Sequence, residues 1–323
     1  MSKKQKEWSI RYLNTIQPVE VKWLAYPYIP IGKFVLLIGD PGIGKSTLAV
    51  NIAAALTAGR PILESESEPQ TGSVIYLSAE DKAEDTLTPR FIAAGADCSK
   101  AAIIDCIGLN ISEDLHIIDT AISDTKAKLI CIDPLQGYIG SDADMTRAAD
   151  MRRLIGGLSV IAEKYDCAIL AIGHMNKSSG TKSLYRGLGS IDIAASARSI
   201  MLVERSEDEP DIRVIRHIKS SLAPEGDPLA FRIERNSSIR FLETYDYENE
   251  YADNFEDGKR EWASNTIFSL LSSGPRPGAD KQRICADAGI SESTVNRAKK
   301  DLGIRSVRKP DGWDWTLIGQ ERQ

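Results

Sequence analysis

The sequence has few of the residues that mark several classes of protein. It contains three histidines and five cysteines, with no Cys-x-x-Cys pair, and aromatic residues make up 7% of the chain. Scattered cysteines argue against a disulfide framework and against the common zinc motifs. No stretch approaches the roughly 20 apolar residues that a membrane helix needs. These absences predict a cytoplasmic protein with reduced thiols and no membrane contact.

The composition is otherwise that of an ordinary globular protein, with an uneven distribution of charge. Hydrophobic residues make up 42% and charged residues 27% of the chain, and the net charge is −6. Residues 259–323 nevertheless contain 12 basic and 8 acidic side chains. A basic C-terminal part behind an acidic body favours a nucleic-acid partner, although so small an excess is equally compatible with chance.

Apolar runs alternate with helical patterns over the first two thirds of the chain. Continuously apolar runs are typical of strands buried on both faces of a parallel sheet, and here they are Phe34–Ile38, Ser73–Leu77, Lys128–Ile132 and Ala168–Ile172. Helical patterns lie near 46–58, 83–95, 114–126 and 145–165. Four β runs then follow one another after residue 198, as hairpins that extend the sheet. The sequence predicts an α/β fold with a mostly parallel sheet.

A phosphate-binding loop is the strongest motif. Residues 39–46, Gly39-Asp40-Pro41-Gly42-Ile43-Gly44-Lys45-Ser46, match the pattern GxxxxGK[ST] in full, between an apolar strand and a helical stretch that starts at Thr47. The glycines let backbone N–H groups point at phosphate oxygens. We expect residues 39–47 to bind ATP, Lys45 to reach the β- and γ-phosphates, and Ser46 to ligate Mg²⁺.

Two carboxylates and a histidine follow predicted strands at the same edge of the sheet. Asp133 ends an apolar run and is predicted to hold Mg²⁺ through water. Because Pro134 comes next, the catalytic base must lie elsewhere, and Glu80 is the main candidate, with Asp81 second. The alternative is that both acids only begin a helix. His174 is predicted to sense the γ-phosphate, although a lone histidine is more often structural. No other metal site is expected.

Together these residues resemble the RecA-like hexameric helicases, which are P-loop AAA-type ATPases. The closest resemblance is to the plasmid replicative helicase RepA group, which is widespread in phages and prophages. The similarity runs from about Val21 to Lys219 and includes the turn Ser78-Ala79-Glu80-Asp81 and the pair Arg186-Gly187. It implies a RecA-like core, a homo-oligomer that is expected to be a hexamer, and single-stranded DNA in a central channel.

The resemblance also implies basic groups that act between subunits and on DNA. Arg198 is the candidate arginine finger, and Lys219 resembles the lysine of the family's Lys-x-Arg finger, although Ser220-Ser221 follow it and the arginine is missing. A solvated cation is the alternative for each. Two loops would line the DNA channel. The loop 136–145 carries Asp142 and Asp144, which argue against phosphate contact, whereas the loop 175–186 offers only basic charges, from Lys177, Lys182 and Arg186.

The C-terminal residues resemble a winged helix-turn-helix. Residues 281–288 and 292–302 are predicted helices, with Ser291 capping the second, and 304–317 form a hairpin that turns at Asp311-Gly312. The second helix is expected to expose Ser293, Asn296, Arg297, Lys299 and Lys300, and the wing is expected to expose Arg305, Arg308 and Lys309. Duplex DNA binding with Asn296 and Arg297 nearest the bases is the preferred interpretation, and protein docking is the alternative.

These elements give a predicted organisation and function. The N-terminal arm covers residues 1–32, the ATPase domain 33–244, an acidic linker 245–258 and the winged helix 259–323. The expected function is that of an ATP-hydrolysing DNA motor, specifically a replicative helicase of a plasmid, phage or prophage. The alternative is an ATP switch that does not unwind DNA, such as a DNA-bound regulator or a helicase loader.

Overall fold

A computed structural model describes most of the chain up to residue 245 and part of the remainder. The described residues are 10–139, 148–174, 191–206, 209–242, 245, 264, 267–268, 271, 276–278, 292–309 and 312–316. The helices among them are α1 (Lys45–Ala58), α2 (Thr88–Ala93), α3 (Leu115–Thr125), α4 (Ala148–Tyr165), α5 (Ile191–Ser196) and α6 (Glu292–Asp301). The strands up to Asp133 are β1 (Trp23–Ala25), β2 (Ile29–Pro30), β3 (Phe34–Gly39), β4 (Ser73–Ser78), β5 (Ala101–Ile103) and β6 (Ala127–Asp133). The later strands are β7 (Ala168–His174), β8 (Ser199–Arg205), β9 (Ile212–Ser220), β10 (Leu229–Ile233), β11 (Ile239–Phe241), β12 (Arg276–Pro277), β13 (Arg305–Lys309) and β14 (Gly312–Thr316).

Most of these strands form one twisted sheet that carries the rest of the fold. Within the described residues it has nine strands in the order β11-β10-β9-β8-β3-β7-β6-β4-β5. The strands from β5 to β8 in this order are parallel, and β9, β10 and β11 continue the sheet as antiparallel neighbours. The predicted fold class, α/β with a mostly parallel sheet, is confirmed.

The sheet is buried on both faces, because its strands have apolar side chains on both sides. On one face Leu48 and Ile52 of α1 pack with Tyr76 and Cys131. On the other face Ile118 of α3 and Leu154 of α4 pack with their neighbours from the sheet. Burying a leucine or isoleucine side chain stabilises the fold by about 1.5–3 kcal/mol. Parallel strands with helices on both faces bring their carboxyl ends to one edge, where ligands bind in such folds.

The structure differs from the sequence prediction at several elements. The predicted N-terminal arm is not separate from the core at its C-terminal end, because β1 and β2 form a hairpin in which Leu24 and Ile29 are buried. The predicted helix 83–95 is divided into a π-helical turn, Ala83–Leu87, and α2, whose first turn contains Pro89. Proline lacks the N–H that would continue a helix from the preceding turn. The edge strand β5 and the short helix α5 were not predicted.

The C-terminal part contains α6 and three antiparallel strands in the order β12-β14-β13. Val295 and Ala298 of α6 pack against Trp315 of β14 and against Ile267 and Leu271. The predicted helix 281–288, the cap Ser291, and the linker residues after Tyr245 lie outside the described residues, so the winged helix stays a prediction. Among the described helices, none is long and apolar enough to cross a membrane.

Candidate active site

The phosphate-binding loop joins the end of β3 to the start of α1. Gly39 has φ +154° and lies so close to β8 that an added Cβ would approach the Val203 carbonyl oxygen to 2.4 Å. Gly44 caps α1 with φ +106°, and Gly42 has φ +73° with open space where a Cβ would be. Residues with side chains rarely adopt these backbone conformations. The loop therefore needs its glycines, and it leaves space beside Gly42 for a ligand.

Lys45 lies inside this loop. Its side chain is buried, and its ammonium donates hydrogen bonds to the carbonyl oxygens of Gly39, at 2.8 Å, and Asp40, at 2.9 Å. Burial lowers the pKa of Lys45, and the charges of Asp133, Asp40 and Glu80 oppose that shift. These carboxylates hold the ammonium charge at the position where the phosphates of a nucleotide would lie.

Asp133 and Ser46 supply neighbouring oxygen atoms at the same edge. Asp133 ends β6 and is 4% exposed, and its Oδ2 accepts a hydrogen bond of 2.6 Å from the Tyr76 hydroxyl. Burial raises the pKa of Asp133, while hydrogen bonds from Tyr76 and Ser46 oppose that rise. Mg²⁺ prefers carboxylate and hydroxyl oxygens, with water and phosphate as its other ligands. The donor set beside the open loop therefore fits Mg²⁺ with ATP.

Glu80 lies in a tight turn that hydrogen bonds hold from both sides. The Ala79 N–H donates to the Asp133 carbonyl at 2.9 Å, and the Asp81 N–H donates to the Ser78 hydroxyl at 2.9 Å. The Asp81 carboxylate is paired with Arg90 of α2, whereas Glu80 is exposed and its charge acts on both Lys45 and Asp133. The structure thus separates the two acids that the sequence left open: Asp81 anchors the turn and Glu80 faces the loop.

The structure also locates the predicted sensor and the predicted DNA loops. His174 is the last residue of β7 and pairs in register with Gly39, so its backbone lies at the start of the phosphate-binding loop. Residues 140–147 and 175–190 lie outside the described part, and with them Asp142, Asp144, Lys177, Lys182 and Arg186.

The two finger candidates lie at the opposite edge of the sheet. The Arg198 N–H donates to the Phe34 carbonyl at the start of β3, and Lys219 pairs with Ile200 at the start of β8. Because β3 has six residues, this edge is about 20 Å from the phosphate-binding loop. Arg198 is exposed. Neither side chain can reach the ATP site of its own subunit.

Lys219 is not the exposed cation that a finger role implies. It is 3% exposed, and its ammonium donates to the carbonyl oxygens of Ala194 and Ala195, both at 3.0 Å. Cations near the last carbonyl groups stabilise the C-terminus of a helix. In this structure Lys219 therefore holds the end of α5.

The exposed face of α6 carries the predicted DNA contacts of the C-terminal part. Asn296, Arg297 and Lys300 are all exposed, opposite the buried Val295 and Ala298. Lys299 differs from the prediction, because its ammonium lies 4.1 Å from the ring centroid of Trp315 and burial lowers its pKa. Arg305 and Arg308 of β13 are exposed.

Comparison with known proteins assigns the family. Residues 2–180, more than half of the chain, match the AAA domain family AAA_25. The chain belongs to this family. The AAA domain is a P-loop ATPase, and this part of the sequence prediction is confirmed.

Curated relatives of this AAA domain include DNA repair proteins named RadA. The Bacillus subtilis protein is 27% identical over 155 residues, 45% of this chain and 28% of that protein. The Mycobacterium tuberculosis protein is 28% identical over 159 residues, 47% of this chain and 30% of that protein. The chain thus spans less than a third of the length of these relatives. Among solved structures, the ATPase domain of a helicase matches with a TM-score of 0.49 and 15% identity, covering 66% of this chain and 85% of that chain.

A buried hydrogen-bond chain supports the edge that carries Arg198 in this AAA domain. The Gly226 N–H donates to His217 Nδ1 at 2.9 Å, so His217 Nε2 carries the proton and faces Ser199 Oγ at 3.0 Å. The Ser199 hydroxyl in turn donates to the Tyr28 carbonyl at 2.6 Å. Burial lowers the pKa of His217 to about 4. This chain joins the β1–β2 hairpin to the strands that begin and end beside Arg198.

Acid is expected to destabilise the AAA domain through His217. The unfolded state takes up a proton near pH 6.5 and the folded state only near pH 4, so stability is complete above that window and falls as pH decreases through it. The loss attributable to His217 is about 3 kcal/mol. Urea unfolding across this window should show a smaller acid loss in His217→Asn, whereas the exposed His116→Asn should behave like wild type. Equal acid losses in all three proteins would contradict the assignment.

Sequence reasoning missed two residues of this site, Tyr76 and Arg90. Arg90 was noted only as part of the family resemblance, and Tyr76 only as part of an apolar strand. The alternation of side chains along β4 and β6 contained the signal for Tyr76. Tyr76 is opposite Cys131 in register, and Asp133, two residues further on, lies on the same face of the sheet.

Proposed function

We propose that this AAA domain is a RecA-like oligomeric DNA motor, and specifically a replicative helicase of a plasmid, phage or prophage. One observation carries the oligomeric part of the proposal: the groups that fit Mg²⁺ and ATP gather at one edge of the sheet, and exposed Arg198 lies at the other. An ATP site completed by a neighbouring copy needs this arrangement, because a head-to-tail assembly brings opposite edges together.

The mechanism follows from the positions of the side chains. Lys45 and the loop N–H groups bind the phosphates, and Ser46 and Asp133 hold Mg²⁺, which neutralises charge on the β- and γ-phosphates. Glu80 orients a water molecule for in-line attack on the γ-phosphorus. His174 senses the γ-phosphate, and Arg198 of the neighbouring copy stabilises the charge of the transition state.

DNA as the partner is supported by the C-terminal surface and by the relatives. The exposed side chains of α6, Asn296, Arg297 and Lys300, match what a recognition helix presents to bases and phosphates. The curated relatives bear the name DNA repair protein RadA. The assignments to the RepA group, to a hexamer and to a single-stranded DNA channel rest on the sequence resemblance.

An assay on forked DNA tests the proposal. We expect ATP hydrolysis that single-stranded DNA accelerates, displacement of the annealed strand, and a hexamer by light scattering with nucleotide present. Omitting Mg²⁺ should abolish both hydrolysis and displacement. DNA-stimulated hydrolysis without displacement would favour the alternative function, an ATP switch that regulates or loads other replication proteins. A protein that neither binds ATP nor releases phosphate would contradict both.

A further inference from the structure

Tyr76 occupies an unusual place for a hydroxyl group. It lies in the middle of β4, is 1% exposed, and is surrounded by the apolar side chains of α1 and the sheet. A hydroxyl buried in this way needs a hydrogen-bond partner. Its partner is Oδ2 of Asp133, at 2.6 Å, the carboxylate that fits Mg²⁺.

The ring of Tyr76 is held as firmly as its hydroxyl. Phe91 of α2 packs against it edge to face, with ring centroids 5.7 Å apart and an interplanar angle of 90°. The backbone of β4 is fixed in register with β6, where Tyr76 pairs with Cys131. The hydroxyl therefore has little freedom to move, and it restrains the carboxylate that it contacts.

Two side chains thus restrain Asp133 from different elements: Ser46 from α1, and Tyr76 from the neighbouring strand. A carboxylate side chain has a broad χ2 torsion and rotates easily unless its oxygen atoms are bound. Groups behind a metal ligand commonly fix its orientation, and removing one weakens metal affinity by about 10–100-fold.

We propose that Tyr76 is a positioning residue for magnesium, whose hydroxyl fixes the Asp133 carboxylate in the orientation that receives Mg²⁺ with ATP. This inference rests on the proposed function, since it requires that the site binds Mg²⁺ and ATP. Tyr76 itself contacts neither the nucleotide nor the metal. It acts through Asp133, and it couples β4, the strand that leads to Glu80, to the metal ligand of β6.

The variant Tyr76→Phe tests this inference, because it removes one oxygen atom and keeps the ring against Phe91. Binding of a fluorescent ATP analogue to the full chain is measured in EDTA and over a range of Mg²⁺ concentrations, with Mn²⁺ paramagnetic resonance as a direct measure of metal binding. We expect unchanged affinity in EDTA, and an increase of about 10–100-fold in the metal concentration for half-maximal effect. The control Tyr28→Phe removes a hydroxyl bonded to the distant Asp227 carbonyl and should keep the wild-type metal dependence.

A second pair of variants separates positioning from general damage. In the background Asp133→Asn, adding Tyr76→Phe should weaken metal binding no further, because the carboxylate that Tyr76 serves is already gone. A Tyr76→Phe protein with wild-type metal dependence, or with equal losses in EDTA and in Mg²⁺, would overturn the inference while leaving the proposed function intact. A wild-type protein that binds no nucleotide, with or without Mg²⁺, would instead overturn the proposed function.

Discussion

Replacing Glu80 with glutamine is expected to leave ATP bound and to slow its hydrolysis by about 10²–10⁴-fold, the usual contribution of a general base. Glutamine fits the same turn between the Ala79 and Asp81 hydrogen bonds, but it cannot accept the proton of the attacking water. The measurement is single-turnover hydrolysis of radiolabelled ATP, together with nucleotide retention by filter binding. The variant should retain ATP with Mg²⁺ present.

The matched control is Glu84→Gln, which makes the same chemical change at an exposed position in the next turn. This control should hydrolyse ATP at the wild-type rate. Full turnover by Glu80→Gln would remove Glu80 from the mechanism. An equal loss in both variants would show that the charge of this segment matters and not the base.

Replacing Arg198 with alanine is expected to slow hydrolysis by about 10³–10⁵-fold in the assembled protein, the range found for arginine fingers. Arg198 is exposed at the edge opposite the ATP site, so its loss should leave both thermal stability and nucleotide binding unchanged. Steady-state ATP hydrolysis and differential scanning fluorimetry measure these effects. Arg153→Ala, an exposed arginine of α4, is the matched control and should retain wild-type activity.

Mixing two inactive variants tests whether Arg198 acts between subunits. In a mixture of Arg198→Ala and Glu80→Gln proteins, about a quarter of the interfaces in a randomly assorted head-to-tail ring combine an intact Glu80 with an intact Arg198. Hydrolysis should therefore recover in part. No recovery after subunit exchange would contradict a role in the neighbouring site. Lys219 is not equivalent, since its ammonium holds the end of α5 and its loss should lower the unfolding temperature.

Much of the site could be predicted because its parts depend on local chain geometry. A strand, a glycine-rich turn and a helix follow one another from Phe34 to Ala58, so the loop around Lys45 needs no distant partner to be recognised. Asp133 and Glu80 each follow an apolar run, and the carboxyl ends of parallel strands meet at one edge. Pairing in register between Ser78 and Asp133 bears this expectation out for the strands themselves.

The remaining features depend on contacts between residues that are far apart in the sequence. The hydrogen bond from Tyr76 to Asp133 joins positions 57 residues apart, and the bonds from Lys219 to α5 join positions 24 and 25 residues apart. Spacing along the chain gives no measure of such distances. For the same reason Lys219 resembled a solvated strand-end cation in the sequence.

The sequence alone determined that the chain forms a parallel α/β core with a phosphate-binding loop and two acidic strand ends, because hydrophobic periodicity and glycine geometry act over a few residues. The order of the strands was decided only by the tertiary structure, since it depends on which apolar faces pack together. That order places β7 between the strands of Gly39 and Asp133, assigns Asp81 to Arg90, and puts Arg198 out of reach of its own ATP site.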